Sequence, residues 1–146
     1  MKNYKNYNKI SLLFYLFPLL FLKLNWYQHI VRNDSKVTLT PGNGVDFFSS
    51  HSGLILILFL LMIIIQIYSV YHSTRSMYIL SFGISIICFS ILLFFPYLDN
   101  IKMLQVSTLF NFYYDFGFYI VAGGMLIGIL LKIISFYLFT RREKKV

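Results

Sequence analysis

The side chains that could carry out chemistry lie mainly in the longest polar interval of the chain, residues 25–52. This interval contains two histidines and two aspartates, His29, Asp34, Asp46 and His51. Imidazole and carboxylate groups are common zinc ligands, but the spacing of these four residues fits no ligand signature. We therefore predict neither a metal site nor a cofactor.

No catalytic motif stands out in the sequence either. It has no H-E-x-x-H or G-x-S-x-G pattern and no phosphate-binding glycine loop. Cys88 lies in an apolar run without a nearby base, so we expect it to be a small packing residue. We predict that the protein is not an enzyme. The candidates for a reaction at the outer membrane surface are Asp46, His51 and Asp115.

The composition indicates a membrane protein. Of its 146 residues, 58% are hydrophobic and only 12% are charged, whereas soluble domains carry about 25% charged residues. The hydrocarbon core of a bilayer is about 30 Å thick and needs about 20 apolar residues in a helix. Four segments meet or approach that length, and we predict an all-α four-helix bundle with spans at residues 10–27, 53–71, 77–98 and 116–139.

The first of these segments differs from the others. It follows a basic start, as in a signal peptide, but no small-x-small cleavage site follows Leu24, so we expect it to be retained. Pro18 in its middle removes one backbone hydrogen bond and predicts a kink. Trp26 and Tyr27 at its end suit the headgroup level of a bilayer.

The placement of charge predicts the orientation of the spans. The formal net charge is +8, and the excess of Lys and Arg falls in residues 1–9, 72–76 and 140–146. We expect Lys132 to extend along its helix to the same surface. By the positive-inside rule these segments and both termini are cytoplasmic, and loops 25–52 and 99–115 lie outside the inner or plasma membrane. The basic tail then suits anionic lipid and not nucleic acid.

The first external loop predicts a β-hairpin. Residues 26–32 are rich in aromatic and β-branched side chains, residues 33–35 signal a turn, and residues 36–40 alternate polar and apolar. Pro41 ends the second strand, and residues 45–48 lead back to the membrane. A hairpin alone is marginal in water, so we expect a cap packed on the helices through Trp26, Tyr27, Val37, Leu39 and Phe47. Loop 99–115 supplies a further strand or a cover, and interfacial anchoring is the alternative role of these aromatics.

Small residues recur at helical spacing in the last two spans. One row lies in the fourth span at Gly117, Gly124, Gly128 and Ser135. A second row lies in the third span at Ser81, Ser85 and Cys88. Small residues let membrane helices approach closely, so we expect both rows to pack inside one bundle. Homodimerisation through Gly124 and Gly128 is the alternative.

The spans contain few polar groups. Gln66, Ser69 and Ser73 form a stripe near the cytoplasmic end of the second span. The stripe predicts an interhelical hydrogen bond, or a polar path if copies of the chain meet across it.

The layout as a whole resembles known membrane proteins. The chain has Trp26 after the first span, then VTLTPGNGVDFF, then YDFGFYIVAGGMLIGIL opening the last span. In these features it resembles a group of small prokaryotic four-span membrane proteins, and its layout is similar to that of claudin-type tetraspans, which carry a sheet on a four-helix bundle. The resemblance implies that fold. The paired external cysteines of claudins are absent, so a barrier function is not implied.

These observations leave three functions open. The first, which we favour, is a non-enzymatic protein that acts by contact with another membrane protein or with itself, as an accessory subunit, scaffold or immunity-type protein. The second is an oligomeric transporter or channel that uses Gln66, Ser69 and Ser73. The third is an enzyme at the outer membrane surface.

Overall fold

The protein is mostly helical and carries a small antiparallel sheet. A computed structural model describes residues 3–33, 36–49, 53–103 and 112–143. Its elements in chain order are α1 (Asn3–Tyr15), α2 (Phe17–Leu20), β1 (Asn25–Asn33), β2 (Lys36–Asn43), α3 (Gly44–Ser49), α4 (Leu54–Tyr71), α5 (Arg75–Met103), β3 (Phe112–Tyr114) and α6 (Phe116–Glu143).

Three helices are long and apolar enough to cross a membrane. The qualifying stretches have mean hydropathies of 2.7, 2.4 and 2.1 and cover Leu54–Tyr71, Arg75–Phe94 and Phe116–Arg142. Their outward faces expose large aliphatic side chains along their length, such as Ile57 and Ile64 on α4. A continuous apolar surface of this kind is typical of contact with lipid. The chain therefore has the character of a membrane protein.

The first predicted span is broken into two helices. Helix α1 ends at Tyr15, and α2 begins at Phe17 after the single residue Leu16, with Pro18 in its first turn. Proline is tolerated there because the N–H groups of a first turn have no intrahelical acceptor. The chain leaves the helical conformation after Leu20, and Trp26 and Tyr27 belong to β1. Pro18 thus starts a new helix instead of kinking a continuous one.

The four longer helices pack side by side. Helix α1 contacts α6 and α4, and α5 contacts α4 and α6. The side chains buried between them in the half nearer the sheet are apolar and include Phe59, Met62, Leu92, Val121 and Met125.

The glycine row of α6 lies against the start of the chain. A Cβ on Gly124 would overlap the Phe17 ring, and one on Gly128 would lie 3.3 Å from Cβ of Phe14. At the far end, a Cβ on Gly117 would lie 2.5 Å from the carbonyl oxygen of Asn25. The row therefore lets α1, α2 and β1 approach the α6 backbone. The row of Ser81, Ser85 and Cys88 on α5 contacts α4 through Gln66 and Leu58. Both rows therefore lie at contacts between helices of the same chain.

The sheet has the strand order β2-β1-β3. The predicted hairpin is present, with Ile30 opposite Leu39 and Asn33 opposite Lys36. Strand β3 adds to β1 through pairs from Tyr27↔Tyr114 to His29↔Phe112, so the second predicted loop does supply a strand.

Two boundaries in this region differ from the prediction. Strand β2 continues through Pro41 to Asn43, which an edge strand allows. The expected return segment is instead the short helix α3. Oδ1 of Asn43 accepts hydrogen bonds from the N–H groups of Val45 and Asp46 and so caps the start of that helix.

Trp26 fixes the sheet to the helices. Its side chain is 1% exposed, and its indole N–H donates to the Phe21 carbonyl over 2.9 Å. Its ring centroid lies 5.3 Å from that of Phe47, and the Phe48 and Phe59 centroids are 5.0 Å apart. This aromatic cluster joins β1, α3 and α4, as aromatic pairs at such separations commonly do in protein cores.

A second attachment joins β3 to the helices. The Tyr114 hydroxyl donates to the Leu93 carbonyl over 2.6 Å, and the Asp115 N–H donates to the Trp26 carbonyl over 2.9 Å. The sheet is thus held through both β1 and β3.

Gly123 and Gly124 make a matched pair for testing the packing of α6. A Cβ on Gly123 would meet no heavy atom within 4 Å. We expect Gly124→Ala to lower the free energy of unfolding by about 1–3 kcal/mol, the usual cost of overpacking. Gly123→Ala should leave it unchanged or raise it slightly, because alanine favours helix. Unfolding in detergent measures both, and equal effects of the two substitutions would contradict the contact with Phe17.

Candidate functional site

A buried lysine of α6 lies between α1, α4 and α5. Lys132 follows Gly128 by four residues and precedes Ser135 by three, so it shares the inward face of α6. Its side chain is 1% exposed. The prediction that Lys132 reaches the cytoplasmic surface is therefore wrong. The side chain lies on the face of α6 that packs against the other helices, so it does not reach water.

The Lys132 ammonium is surrounded by groups from three other helices. It donates to Oδ1 of Asn8 on α1 and to Oγ of Ser69 on α4, each over 2.5 Å. It lies 5.1 Å from the centre of the Tyr78 ring on α5, a distance at which a cation is attracted to the ring face. Within the described part of the chain no carboxylate forms an ion pair with Lys132. Neutral oxygens and a ring therefore surround the Lys132 amino group.

The polar contacts continue from Lys132 across α4 and α5. Nδ2 of Asn8 donates to the Ser69 carbonyl over 2.9 Å, and the Ser69 hydroxyl donates to the Gln66 carbonyl over 2.9 Å. Nε2 of Gln66 donates to the Ser81 carbonyl over 2.8 Å and to Oγ of Ser85 over 2.7 Å. Gln66 thus makes the kind of interhelical hydrogen bond that its position in an apolar helix suggests.

A second branch joins α5, α6 and α1. The Tyr78 hydroxyl and Oγ of Ser135 lie 2.8 Å apart, and the Ser135 hydroxyl donates to the Tyr4 carbonyl over 2.7 Å. Ser73, at the end of the stripe, is half-buried and donates to the Ser69 carbonyl over 3.3 Å. The predicted polar residues Gln66, Ser69 and Ser73 therefore bond within the chain.

The polar cluster occupies one end of the helical core. Ser69 lies two residues before the end of α4, and Tyr78 lies three residues after the start of α5. Both are within about one helical turn, 5.4 Å, of those helix ends. Towards the sheet the buried side chains become apolar, so the cluster does not continue as a polar path along the described core.

A groove opens beside the cluster, between α5 and α6. Its volume is about 360 Å³, and its walls are Tyr78, Ile79, Phe82, Lys132, Ile133 and Phe136. Ile79 and Ile133 are 59% and 45% exposed, so the groove is reached from the outward apolar surface. Its inner wall includes the only charged side chain among those six.

The residues predicted to pack the cap on the helices differ in burial where the structure describes their side chains. Trp26 and Phe47 are buried and Tyr27 is half-buried. The side chains of Val37 and Leu39 lie outside what the structure describes, although their backbones form β2.

Two of the three residues considered for a reaction, Asp46 and Asp115, accept hydrogen bonds from neighbouring groups near the sheet. The Asp46 carboxylate accepts from the Asn43 N–H over 2.9 Å. The Asp115 carboxylate accepts from Nε2 of Gln28 over 2.9 Å and from the Phe116 N–H over 2.6 Å. These two donors lower the pKa of Asp115 below its ordinary value, with the Gln28 amide the larger cause. Both carboxylates act as local structural acceptors here.

The described residues do not form the metal site considered in the sequence. No group of three or more His, Cys, Asp or Glu residues close enough to hold a metal ion occurs in residues 3–33, 36–49, 53–103 and 112–143. Asp34 and His51 lie outside the described residues, as does the side chain of His29. Cys88 is buried, and its thiol lies 3.6 Å from the Leu58 carbonyl.

Comparison with protein-family models, with curated proteins and with solved structures finds no match to this chain. Its resemblance to small prokaryotic four-span proteins and to the claudin layout therefore stays a prediction.

Sequence reasoning overlooked Asn8 and Tyr78. The signal was present, because Tyr4, Asn8, Ser11 and Tyr15 recur at helical spacing in α1. Tyr78 likewise precedes Ser81 and Ser85 by three and seven residues on α5. A polar row on each of α1, α4 and α5 matches the inward face of α6 that carries Lys132.

The Asn8–Lys132 contact can be tested by a double-mutant cycle. Asn8→Leu removes an acceptor from a buried charge, and we expect it to lower the free energy of unfolding by about 1–3 kcal/mol. Lys132→Met in the same chain removes the charge itself, so the double variant should be more stable than Asn8→Leu alone. Unfolding by SDS in mixed micelles measures all three variants. Strictly additive losses would contradict a direct interaction.

Proposed function

We propose that the chain is a four-span membrane protein that acts by contact with another membrane protein, as an accessory subunit, scaffold or immunity-type protein. In this proposal both termini are cytoplasmic, and the sheet lies on the outer side of the inner or plasma membrane. Three observations support the proposal: the course of α1 and α2 along α6, the charge at one end of the helices, and the hairpin of β1 and β2.

The first support is the antiparallel course of the N-terminal helices along α6. The Tyr4 carbonyl contacts Ser135, Asn8 contacts Lys132, and Phe17 lies on Gly124. The start of β1 then lies on Gly117, next to the beginning of α6. A segment that follows α6 over this length crosses the same thickness of membrane, even though it is broken after Tyr15. This course along α6 supports a fourth spanning segment besides α4, α5 and α6.

The second support is the charge at one end of these helices. Lys5 and Lys9 on α1, Arg75 at the start of α5, and Arg141 and Arg142 on α6 share that end. The positive-inside rule places such an end in the cytoplasm. The sheet, at the opposite end, is then external.

The observation that carries the contact role is the β1–β2 hairpin of the sheet. Among the described residues β3 pairs with β1 only from Tyr27 to His29. Beyond it, residues 30–33 of β1 pair with residues 36–39 of β2, and we call these two segments the arm. Four pairs extend over about 13 Å at 3.3 Å per residue. A two-stranded ribbon is marginal in water, while its base is fixed by Trp26 and Asp115. A ribbon on a fixed base suits strand-to-strand contact with a partner.

Two sets of contacts disfavour the alternatives in which copies of the chain meet, namely an oligomeric transporter or channel and a homodimer. Gln66 and Ser69 are buried and bonded inside the chain, so they cannot line a polar path between subunits. The face of Gly124 and Gly128 is covered by Phe17 and Phe14, so it is not available for homodimerisation. Among the described residues, we propose the arm and the outward apolar faces of the helices as the surfaces for a partner.

Cysteine labelling tests the orientation. In a Cys88→Ala background, a cysteine at Ser49 should react in intact cells with a maleimide that does not cross membranes. A cysteine at Arg142 should react only after the membrane is permeabilised. Both side chains are exposed, so accessibility within the protein does not limit either reaction. Labelling of both positions in intact cells would contradict the four-span topology.

Site-specific photo-crosslinking tests the contact role. We expect a photoreactive residue at Val37 or Leu39 to give a discrete adduct with another membrane protein in native membranes, because both positions lie in the arm. The matched control is Ile57, which is 62% exposed on the outward face of α4 and should give lipid adducts. Replacement of residues 31–38 by Asn-Gly, a two-residue hairpin turn, should abolish the protein adduct from a probe at Asp46.

Either of two outcomes would refute the contact role. One is the absence of a protein adduct from both arm positions in membranes where the chain is correctly oriented. The other is recovery of the same partner adduct after the arm has been shortened.

A further inference from the structure

We propose that the groove between α5 and α6 binds one anionic phospholipid of the cytoplasmic leaflet, with the lipid phosphate beside Lys132. This site is independent of the arm and of the partner that the arm would contact. Three features of the described residues lead to it.

The first feature is the incomplete coordination of the Lys132 ammonium. An ammonium has three N–H donors, and Asn8 and Ser69 accept two of them. The Tyr78 ring lies on a further side at 5.1 Å. Within the described residues no anion lies beside this amino group, and a charge buried there is costly unless it is paired. An anionic oxygen beside Tyr78 would supply the missing acceptor and the missing negative charge.

The second feature is the chemistry of the groove. Apart from Lys132, its walls are aromatic or aliphatic side chains. A volume of about 360 Å³ lies within the usual range of small-molecule sites, about 300–1,000 Å³. A buried cation behind an apolar opening is complementary to a molecule with an anionic head and a hydrocarbon body. Simple hydrophilic anions would gain nothing from Ile79, Phe82 and Ile133.

The third feature is the depth of the groove. Sixteen residues separate Phe116 from Lys132 on α6, which corresponds to about 24 Å of helix. In a hydrocarbon core of about 30 Å, Lys132 then lies near the inner boundary, where phosphates of the cytoplasmic leaflet begin. Since Ile79 and Ile133 are exposed on the outward face, a lipid reaches the groove laterally from that leaflet.

Native mass spectrometry tests the site on the full chain in nanodiscs that contain equal amounts of phosphatidylglycerol and phosphatidylcholine. We expect the chain to retain one phosphatidylglycerol with a preference of about tenfold or more, since charge-assisted contacts to phosphate are strong. Lys132→Met should reduce that preference to near unity, and Arg142→Gln, which removes a charge exposed on the same helix, should leave it in place. Equal loss in both variants would overturn the proposal, because it would indicate general surface charge.

A matched pair of tryptophans tests the groove without changing charge. Ile133 lines the groove and Ile134 does not, while their exposures are similar at 45% and 43%. We expect Ile133→Trp to abolish lipid retention and Ile134→Trp to preserve it, with circular dichroism confirming that both remain folded. Equal retention in the two variants would overturn the proposal even if Lys132→Met fails to fold. Displacement of the lipid by excess inorganic phosphate would also overturn it, because the site would then bind a free anion.

Discussion

The burial of the Lys132 amino group constrains the arrangement of the helical core. A lysine in an apolar environment is tolerated only where protein atoms replace the water that would otherwise solvate it. Lys132 meets this requirement with an amide oxygen from α1, a hydroxyl from α4 and an aromatic face from α5. Each of those groups is itself fixed by a neighbour, as Ser69 is by Gln66. The contacts of one side chain thereby join three helices to a fourth.

The glycine row of α6 makes this arrangement geometrically possible. Asn8 can reach Lys132 only if α1 lies close to the α6 backbone, and Gly128 and Gly124 permit that approach. Hydrogen bonds between membrane helices are individually modest, so close backbone packing must contribute much of the attraction. Small residues and polar residues therefore perform complementary roles on the same helix face.

The elements that the sequence predicts well are those set by local pattern. The uncharged run at 53–71 became α4 at Leu54–Tyr71, because its length and apolarity admit one structure. The hairpin followed from the alternation in residues 36–40 and the turn signal before them. These features depend on near neighbours in the chain. Whether the helices form a four-span bundle, and on which side the sheet lies, stays a prediction.

The features that local pattern missed depend on contacts between distant residues. Lys132 and Asn8 are separated by 124 positions, and nothing near Lys132 indicates that α1 will supply an acceptor. The break at Leu16 and the helix α3 also went unpredicted. Pro18 lies in the first turn of α2 and Asn43 caps α3, and both helices are too short to show a periodic pattern in the sequence. The spacing of Lys132 from Gly128 and Ser135 indicates its face of α6, but local pattern does not show which groups on the other helices will contact it.

The joint between β3 and α6 has a mechanical consequence. Asp115 alone separates them, and its backbone and side chain are bonded to Trp26, Gln28 and Phe116. A joint of one fully bonded residue has little torsional freedom. The orientation of α6 and the orientation of the sheet edge are therefore tied to each other at the base of the arm.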